Sequence, residues 1–151
     1  MRHSIIQLGI IHLNDCMDLD QKSLNGLWSR SQWKKELTDP NRICLGIIEY
    51  ETKELLGLCS AWLLIDELYI TFIAVYPIHR RKGIGKFLLL QLIKRSKSLQ
   101  TNHILLEVKN NNEPAKAFYK SMGFKKLGIR ANFYKDGCDA LTLTKGINNK
   151  S

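Results

Sequence analysis

One segment combines an apolar run, a basic turn with two glycines and a second apolar run, and this order restricts the local fold strongly. The first run is Leu68 to Val75, the turn is Arg80 to Lys86, and the second run is Phe87 to Ile93. The pattern predicts a buried strand, a turn and the start of a helix. A helix start leaves backbone N–H groups without partners and carries the positive end of the helix dipole, so it can bind phosphate.

The glycines and charges of this turn suit a pyrophosphate. Gly83 and Gly85 let a ligand approach the backbone, and four cations surround them. These cations are Arg80, Arg81, Lys82 and Lys86. On these residues alone, a tight turn with solvated charges is the commoner explanation. The dinucleotide fingerprint and the Walker loop do not fit in their usual forms, because Leu88 replaces a glycine and Phe87 replaces Ser or Thr.

Length and composition predict one domain with one core. The chain has 151 residues, of which 44% are hydrophobic and 25% are charged. We expect the domain to cover residues 1–145 and a flexible tail to cover residues 146–151. No apolar run reaches the roughly 18 residues that span a bilayer, and no signal peptide is visible. We therefore expect a cytoplasmic protein without a membrane partner.

Cysteine, histidine and net charge each restrict the function. The four cysteines form no Cys-x-x-Cys pair and the four histidines lack helical metal spacing, so we expect reduced thiols and no metal. The formal net charge of +9 implies an anionic partner. An anionic cofactor, nucleic acid and the ribosome all satisfy that requirement.

Hydrophobic periodicity predicts a mixed α/β chain. We expect a first strand over 4–13 before a turn or cap at Asn14-Asp15, and then two helices, the second capped by Ser29 or Ser31. Predicted strands follow at 43–50, 55–65, 68–75 and 104–108, with a final hairpin of 125–129 and 140–144. Predicted helices cover 84–99 and 113–122, the second with Ala115, Phe118 and Met122 toward the core.

Four segments together resemble a known superfamily. They are Phe72 to Val75, Arg80 to Gly85, Leu106 to Lys109 followed by Asn112, and Ala117 to Phe124. The glycine loop is similar to the acyl-CoA motif Q/R-x-x-G-x-G/A of the GCN5-related N-acetyltransferases, and the Tyr-x-x-x-Gly-Phe helix end occurs at compatible spacing. Within that superfamily the chain resembles the RimI-type enzymes, which acetylate the N-terminal alanine of a small-subunit ribosomal protein.

The resemblance implies an α/β (α+β) fold, with a mixed, mainly antiparallel sheet of six to seven strands and about four helices. It also implies acetyl-CoA as cosubstrate, held by backbone groups of β-strand residues, by the basic loop and by one asparagine. The implied cofactor-binding residues are Ile73, Ala74, Val75, Arg80, Arg81, Lys82, Gly83, Ile84, Gly85, Lys86 and Asn112.

The resemblance assigns acid–base roles to two residues. Glu107 alternates with Leu106 and Val108, so desolvation would favour proton acceptance from the substrate ammonium. A salt bridge to Lys109 or another cation is the ordinary alternative. Tyr119 is implied as the proton donor to the leaving thiolate, and packing beside Phe118 is its ordinary alternative.

The acceptor end is also implied by resemblance. Trp28 and Tyr134 match segments that flank the acceptor peptide, whereas Leu27 replaces a common proline and Phe133 a common tyrosine. At neutral pH roughly a tenth of a free α-amine is unprotonated, against roughly one part in 2,500 for lysine, which favours an N-terminal acceptor. A small-molecule amine, a lysine, and a non-catalytic ribosome- or RNA-binding module are the alternatives.

Overall fold

The computed structural model describes residues 2–147, which contain seven β-strands and four α-helices. The strands are β1 (His3–Gln7), β2 (Arg42–Glu49), β3 (Leu55–Leu63), β4 (Glu67–Val75), β5 (His103–Lys109), β6 (Lys125–Arg130) and β7 (Ala140–Gly146). The helices are α1 (Leu13–Leu24), α2 (Arg30–Thr38), α3 (Ile84–Ser98) and α4 (Glu113–Ser121). Within residues 2–147, no helix combines the length and the apolar content that a bilayer crossing requires.

The strands form a mixed sheet in the order β1-β2-β3-β4-β5-β7-β6. The pairs β1–β2, β2–β3, β5–β7 and β6–β7 are antiparallel, whereas β4 pairs with β5 in parallel. This arrangement confirms the predicted fold class. The insertion of β7 between β5 and β6 was not predicted, because local periodicity contains no information on which strands become neighbours.

The chain divides into two compact units, and the first comprises Met1–Leu63 and Ile70–Arg95. Its core contains Leu19 and Trp33, both fully buried, with Leu58 of β3. Ser29 caps helix α2: its hydroxyl accepts from Gln32 N at 3.2 Å while the Gln32 side chain accepts from Ser29 N. This capping box confirms one of the two predicted caps.

The second unit comprises Leu64–Tyr69 and Ser96–Ser151. Burial alternates along β5, where Ile104, Leu106 and Val108 are buried and Leu105 and Glu107 between them are half-buried. The alternation follows from the two-residue period of a strand. It places Glu107 on the face opposite the buried aliphatic residues.

Several element boundaries differ from the predictions. The first strand ends at Gln7; Ile10–His12 form a 3-10 turn, and α1 begins at Leu13 after His12, so the Asn14-Asp15 cap was wrong. Ile10 and Ile11 are 47% and 86% exposed, which explains why their apolar character was misleading.

The C-terminal boundary and α4 also differ. Gly146 is the last residue of β7 and Ile147 is buried, so the predicted tail starts too early; residues 148–151 lie outside the described part of the chain. In α4, Ala115, Phe118 and Met122 are only partly buried. The single-domain assignment stays a prediction.

A buried carboxylate organises the connection from α1 to α2. Asp20 is 2% exposed and accepts from Leu27 N at 2.6 Å, Trp28 N at 3.1 Å and Trp33 Nε1 at 2.7 Å. The chain leaves α1 through Asn25 and Gly26, at φ 57° and 75°, which turns it back toward Asp20. Three N–H donors thus compensate the burial of one charge.

We expect Asp20→Ala to lower the free energy of unfolding by roughly 3 kcal/mol or more, because one buried and two partly buried N–H donors lose their acceptor. Urea unfolding followed by tryptophan fluorescence measures the change. Asp15→Ala on the exposed side of α1 is the matched control, with an expected loss of at most about 1 kcal/mol. Equal losses in the two variants would contradict the bracing role of Asp20.

Candidate active site

The basic loop forms the start of α3 as predicted. Gly83 O accepts from Phe87 N at 3.0 Å, and α3 begins at Ile84. Gly83 has φ 78°, and nothing lies within 4 Å of the position a Cβ would take. Gly83 therefore leaves room for a ligand to approach the start of α3, where the first-turn N–H groups have no partner within the helix.

The cations of this loop are available to a ligand. Residues 80–83 and Lys86 are exposed, and Arg81 takes the left-handed conformation with φ 65°. Arg81 and Lys86 make no side-chain hydrogen bond or ion pair with any of residues 2–147. Lys82 Nζ lies 3.4 Å from His79 Nδ1. Because Arg81 and Lys86 have no partner within the described residues, the loop is better suited to bind an anion than a turn whose charges are paired within the protein would be.

The end of β4 leads directly to this loop. Ala74 is buried and Ile73 and Val75 are half-buried. Val75 O accepts from Ser23 Oγ at 3.1 Å and from Arg80 Nε at 3.3 Å, so this carbonyl already has partners within the first unit. Ile73 and Ala74 are the better candidates for backbone contact with a ligand.

Glu107 lies on β5 in the second unit, with its side chain 6% exposed. Tyr69 Oη donates a hydrogen bond to Glu107 Oε1, and Arg130 Nη1 lies 3.9 Å from the same oxygen. The carboxylate is thus desolvated, and its cation partner is Arg130. Lys109, the other partner considered, pairs with Asp136 at 2.8 Å.

Tyr69 is a site residue that sequence reasoning missed. It pairs with Leu105 across the parallel β4–β5 ladder. Leu105 is two residues before Glu107 and lies on the same face of β5. Burial, followed by the hydrogen bond to Glu107, raises the pKa of Tyr69, which keeps the hydroxyl a proton donor. The missing information was the strand register, which only the tertiary structure provides.

Tyr119 and Asn112 lie at the two ends of α4. The Tyr119 ring packs edge-on against Phe118 at 5.1 Å and Phe124 at 5.5 Å between centroids, so the aromatic packing considered as its alternative is present. Asn112 Oδ1 accepts from Ala115 N at 3.2 Å and caps the helix. Its amide N–H₂ group has no partner among residues 2–147 and remains free to donate to a ligand.

Trp28 lies in the connection that Asp20 holds. Its ring packs edge-on against Trp33 and Phe72, with centroids 4.8 Å and 5.0 Å away. Leu27, beside it, is 47% exposed. The connection is therefore rigid at Trp28 and presents Leu27 to solvent, which makes Leu27 a candidate for acceptor contact.

Tyr134 lies in the β6–β7 connection of the second unit. Burial, followed by the charge of Glu107, raises the pKa of Tyr134, and Lys109 Nζ lies 5.3 Å from its ring centroid. The hydrogen bond between Lys109 and Asp136 raises the pKa of the lysine and lowers that of the aspartate. Lys109 thus ties the connection to β5, and the salt bridge to Glu107 that was its ordinary alternative is not formed.

The side chains of residues 2–147 include no group of three His, Cys, Asp or Glu residues arranged to hold a metal ion. The groups described above in the second unit are the desolvated carboxylate of Glu107 and the hydroxyls of Tyr69 and Tyr134, whose pKa values are raised. The side chains of Arg130 and Lys109 are the cations beside them.

Comparisons with known proteins agree with this arrangement. A model of the acetyltransferase (GNAT) family matches residues 13–124. A protein of Bacillus subtilis (strain 168), provisionally named a ribosomal protein bS18-alanine N-acetyltransferase, is 31% identical over 132 residues, which cover 87% of each chain.

Solved structures agree as well. The crystal structure of the ribosomal-protein-S18-alanine N-acetyltransferase from Escherichia coli has a TM-score of 0.90 and 25% identity, and covers 99% of this chain and 97% of that one. Arabidopsis thaliana NAA60 in complex with acetyl-CoA shares the fold, with a TM-score of 0.86, 17% identity and coverage of 97% and 99%. The chain therefore belongs to the acetyltransferase (GNAT) family of acyltransferase enzymes, and within it resembles the RimI-type ribosomal-protein alanine N-acetyltransferases.

Proposed function

We propose that this protein transfers the acetyl group of acetyl-CoA to a protein N-terminal amine, that of an alanine on a small-subunit ribosomal protein, by direct attack in a ternary complex. The observation that carries the proposal is Glu107, a nearly buried carboxylate whose described contacts are one hydroxyl donor and one guanidinium 3.9 Å away. A carboxylate with this surplus accepting capacity suits an incoming ammonium.

The loop before α3 is the proposed pyrophosphate site. The exposed Arg81 and Lys86 side chains supply charge, and the first-turn N–H groups supply hydrogen-bond donors. Ile73 and Ala74 would pair with the amide groups of the pantetheine arm as a neighbouring strand would, and Asn112 would donate through its amide nitrogen. The relative from Arabidopsis thaliana supports this, since it binds acetyl-CoA on the same fold.

Two residues carry the proposed proton transfers. Glu107 accepts a proton from the substrate ammonium, directly or through a water molecule, and so creates the lone pair that attacks the thioester carbon. Tyr119 donates its proton to the sulfur as the carbon–sulfur bond breaks, so that CoA leaves as the thiol. The second proton that the attacking nitrogen loses as the amide forms restores the Tyr119 hydroxyl. Tyr69 orients the Glu107 carboxylate through its hydrogen bond.

The cysteines support direct transfer without an acyl-enzyme. Burial raises the pKa of Cys16 to about 12 and that of Cys44 to about 11, so neither forms the thiolate that nucleophilic attack requires. Cys59 is fully buried, and burial raises its pKa as well. Cys138 lies in the β6–β7 connection with Sγ 3.5 Å from Asp139 O.

Trp28 and Tyr134 are the proposed acceptor contacts, together with Leu27, the neighbour of Trp28 in sequence. The first is fixed by ring packing and the second is tied to β5 through Lys109, so both segments would meet a peptide in a defined conformation. A ribosomal acceptor places the reaction in the cytoplasm.

Peptide acetylation tests the proposal. We expect purified protein and acetyl-CoA to add one acetyl group to peptides that begin with alanine or serine, read by mass spectrometry. Peptides with a formylated N-terminus and unchanged lysines are the control and should stay unmodified. A lack of product with every such peptide would contradict the proposed acceptor. A preference for polyamines or aminoglycosides would favour a small-molecule acceptor instead.

We expect Glu107→Gln to lower kcat roughly 100-fold near neutral pH and less at high pH, where the acceptor amine loses its proton unaided. Tyr119→Phe should lower kcat roughly 10-fold while the affinity for acetyl-CoA stays nearly unchanged. Steady-state kinetics across pH measure both effects. Glu51→Gln, an exposed carboxylate, is the matched control, and wild-type rates in either site variant would remove that residue from the mechanism.

We expect Tyr69→Phe to lower kcat several-fold in steady-state kinetics, while the KM for acetyl-CoA stays nearly unchanged. The Glu107 carboxylate loses the hydrogen bond that orients it, whereas the loop before α3 is not altered. Tyr50→Phe, on the β2–β3 connection, is the control. A wild-type kcat, or a raised KM with an unchanged kcat, would contradict the orienting role of Tyr69.

Arg81→Gln should weaken CoA binding roughly 10- to 100-fold, because one charge-assisted hydrogen bond to phosphate is worth about 1.5–3 kcal/mol. Titration calorimetry with CoA measures the change, and Lys34→Gln on α2 is the control of equal charge. Unchanged CoA affinity in Arg81→Gln would place the pyrophosphate elsewhere.

A further inference from the structure

The positive charge of the protein is concentrated in one stretch. Between Glu67 and Glu107 the chain contains no Asp or Glu, but contains seven cations: Arg80–Lys82, Lys86, Lys94, Arg95 and Lys97. The whole chain has a formal net charge of +9, so this stretch alone, with seven positive and no negative charges, accounts for most of the excess. Of these seven cations, the proposed cofactor site includes Arg80–Lys82 and Lys86, but not Lys94, Arg95 or Lys97.

Helix α3 places the remaining lysines on its outer side. Ile84, Leu88, Leu89 and Leu92 are at most 3% exposed, whereas Lys86, Leu90, Lys94, Lys97 and Ser98 are the exposed residues of the helix. Spacings of four, four and three residues put Lys86, Leu90, Lys94 and Lys97 on one stripe. At about 1.5 Å per residue, the stripe extends for roughly 16 Å.

The charges of this stripe are not neutralised by the protein. Lys86, Lys94 and Lys97 form no side-chain hydrogen bond or ion pair with the residues that the structure describes, 2–147. Acidic partners occur elsewhere: on α1 Lys22 lies 3.2 Å from Asp18, and on α4 Lys116 lies 3.1 Å from Glu113. Lys34 and Lys35 of α2 and Lys120 of α4 also form no ion pair with residues 2–147. What distinguishes α3 is that its three unpaired lysines lie in a stretch of the chain without any Asp or Glu.

We propose that the lysine stripe of α3 is a docking surface for RNA, which it contacts through phosphate groups without reading the sequence. A polyanion complements a row of unpaired lysines, since each contact releases condensed counterions. The inference goes beyond the proposed acetyl transfer and does not depend on it.

The apolar side of α3 argues against a membrane as the occupant. A helix that lies on a bilayer inserts its apolar face among the lipids, but this face of α3 is buried in the protein and its residues are at most 3% exposed. Leu90, at 45% exposed, is a single apolar residue on the outer stripe. Charge alone therefore dominates the surface, as in phosphate-backbone binding.

The test separates the stripe from the cofactor loop. The double variant Lys94→Gln/Lys97→Gln removes two charges outside the proposed acetyl-CoA site, and Lys34→Gln/Lys35→Gln removes two exposed charges from α2 as the matched control. Fluorescence anisotropy of a labelled 20-nucleotide poly(U) RNA is measured with saturating CoA over a range of KCl concentrations.

We expect wild-type protein to bind the RNA with an affinity that falls steeply with salt. The α3 double variant should lose about 25-fold in affinity at 0.1 M salt, and its log–log salt slope should be about 1.4 smaller in magnitude, since each single-strand contact contributes about 0.7. The α2 control should change much less.

Four results would overturn the inference. They are an absence of RNA binding at low salt, equal losses in the two double variants, loss of RNA binding on addition of CoA, and equal or tighter binding to phosphatidylserine vesicles or poly-glutamate. Activity of the same variants toward peptide is measured in parallel, so that a failure of acetyl transfer and a failure of RNA binding remain distinguishable.

Discussion

Burial of the apolar face of α3 determines where the positive charge of this protein lies. Leu88, Leu89 and Leu92 are fully buried, and each stabilises the fold by about 1.5–3 kcal/mol relative to an exposed position. Repulsion between neighbouring surface lysines costs only a few tenths of a kcal/mol, so burial decides the orientation of the helix. The basic loop at its start and the lysine stripe on its outer side are both consequences of that orientation.

Two buried carboxylates differ in how much of their hydrogen-bonding capacity the protein itself uses. Asp20 accepts three N–H donors and so has little capacity left for a further partner. Glu107 accepts one hydrogen bond, from the Tyr69 hydroxyl. Its cation partner, Arg130 Nη1, is 3.9 Å away, and the Arg130 side chain is 61% exposed. Asp20 fixes the connection that contains Trp28, whereas Glu107 retains the capacity that a proton acceptor needs.

The elements with strong local signals were predicted well. The run from Leu68 to Val75 is β4, the helix after the glycine loop is α3, and Ser29 caps α2, because periodicity and capping depend on residues close in sequence. Ile10 and Ile11 were misassigned to the first strand, since an apolar side chain does not show whether a core exists to cover it. The partner of Glu107 was also missed, because Tyr69 is 38 residues away in sequence.

The sequence by itself determined the family, because its motifs are residue types at short spacing. Through that resemblance it proposed the loop before α3 for phosphate binding and Glu107 and Tyr119 for proton transfer. Only the tertiary structure decided that β4 and β5 run parallel, that Tyr69 therefore reaches Glu107, and that Lys109 pairs with Asp136 instead of with Glu107. Strand register and long-range ion pairs result from the packing of the whole chain, so no local pattern can specify them.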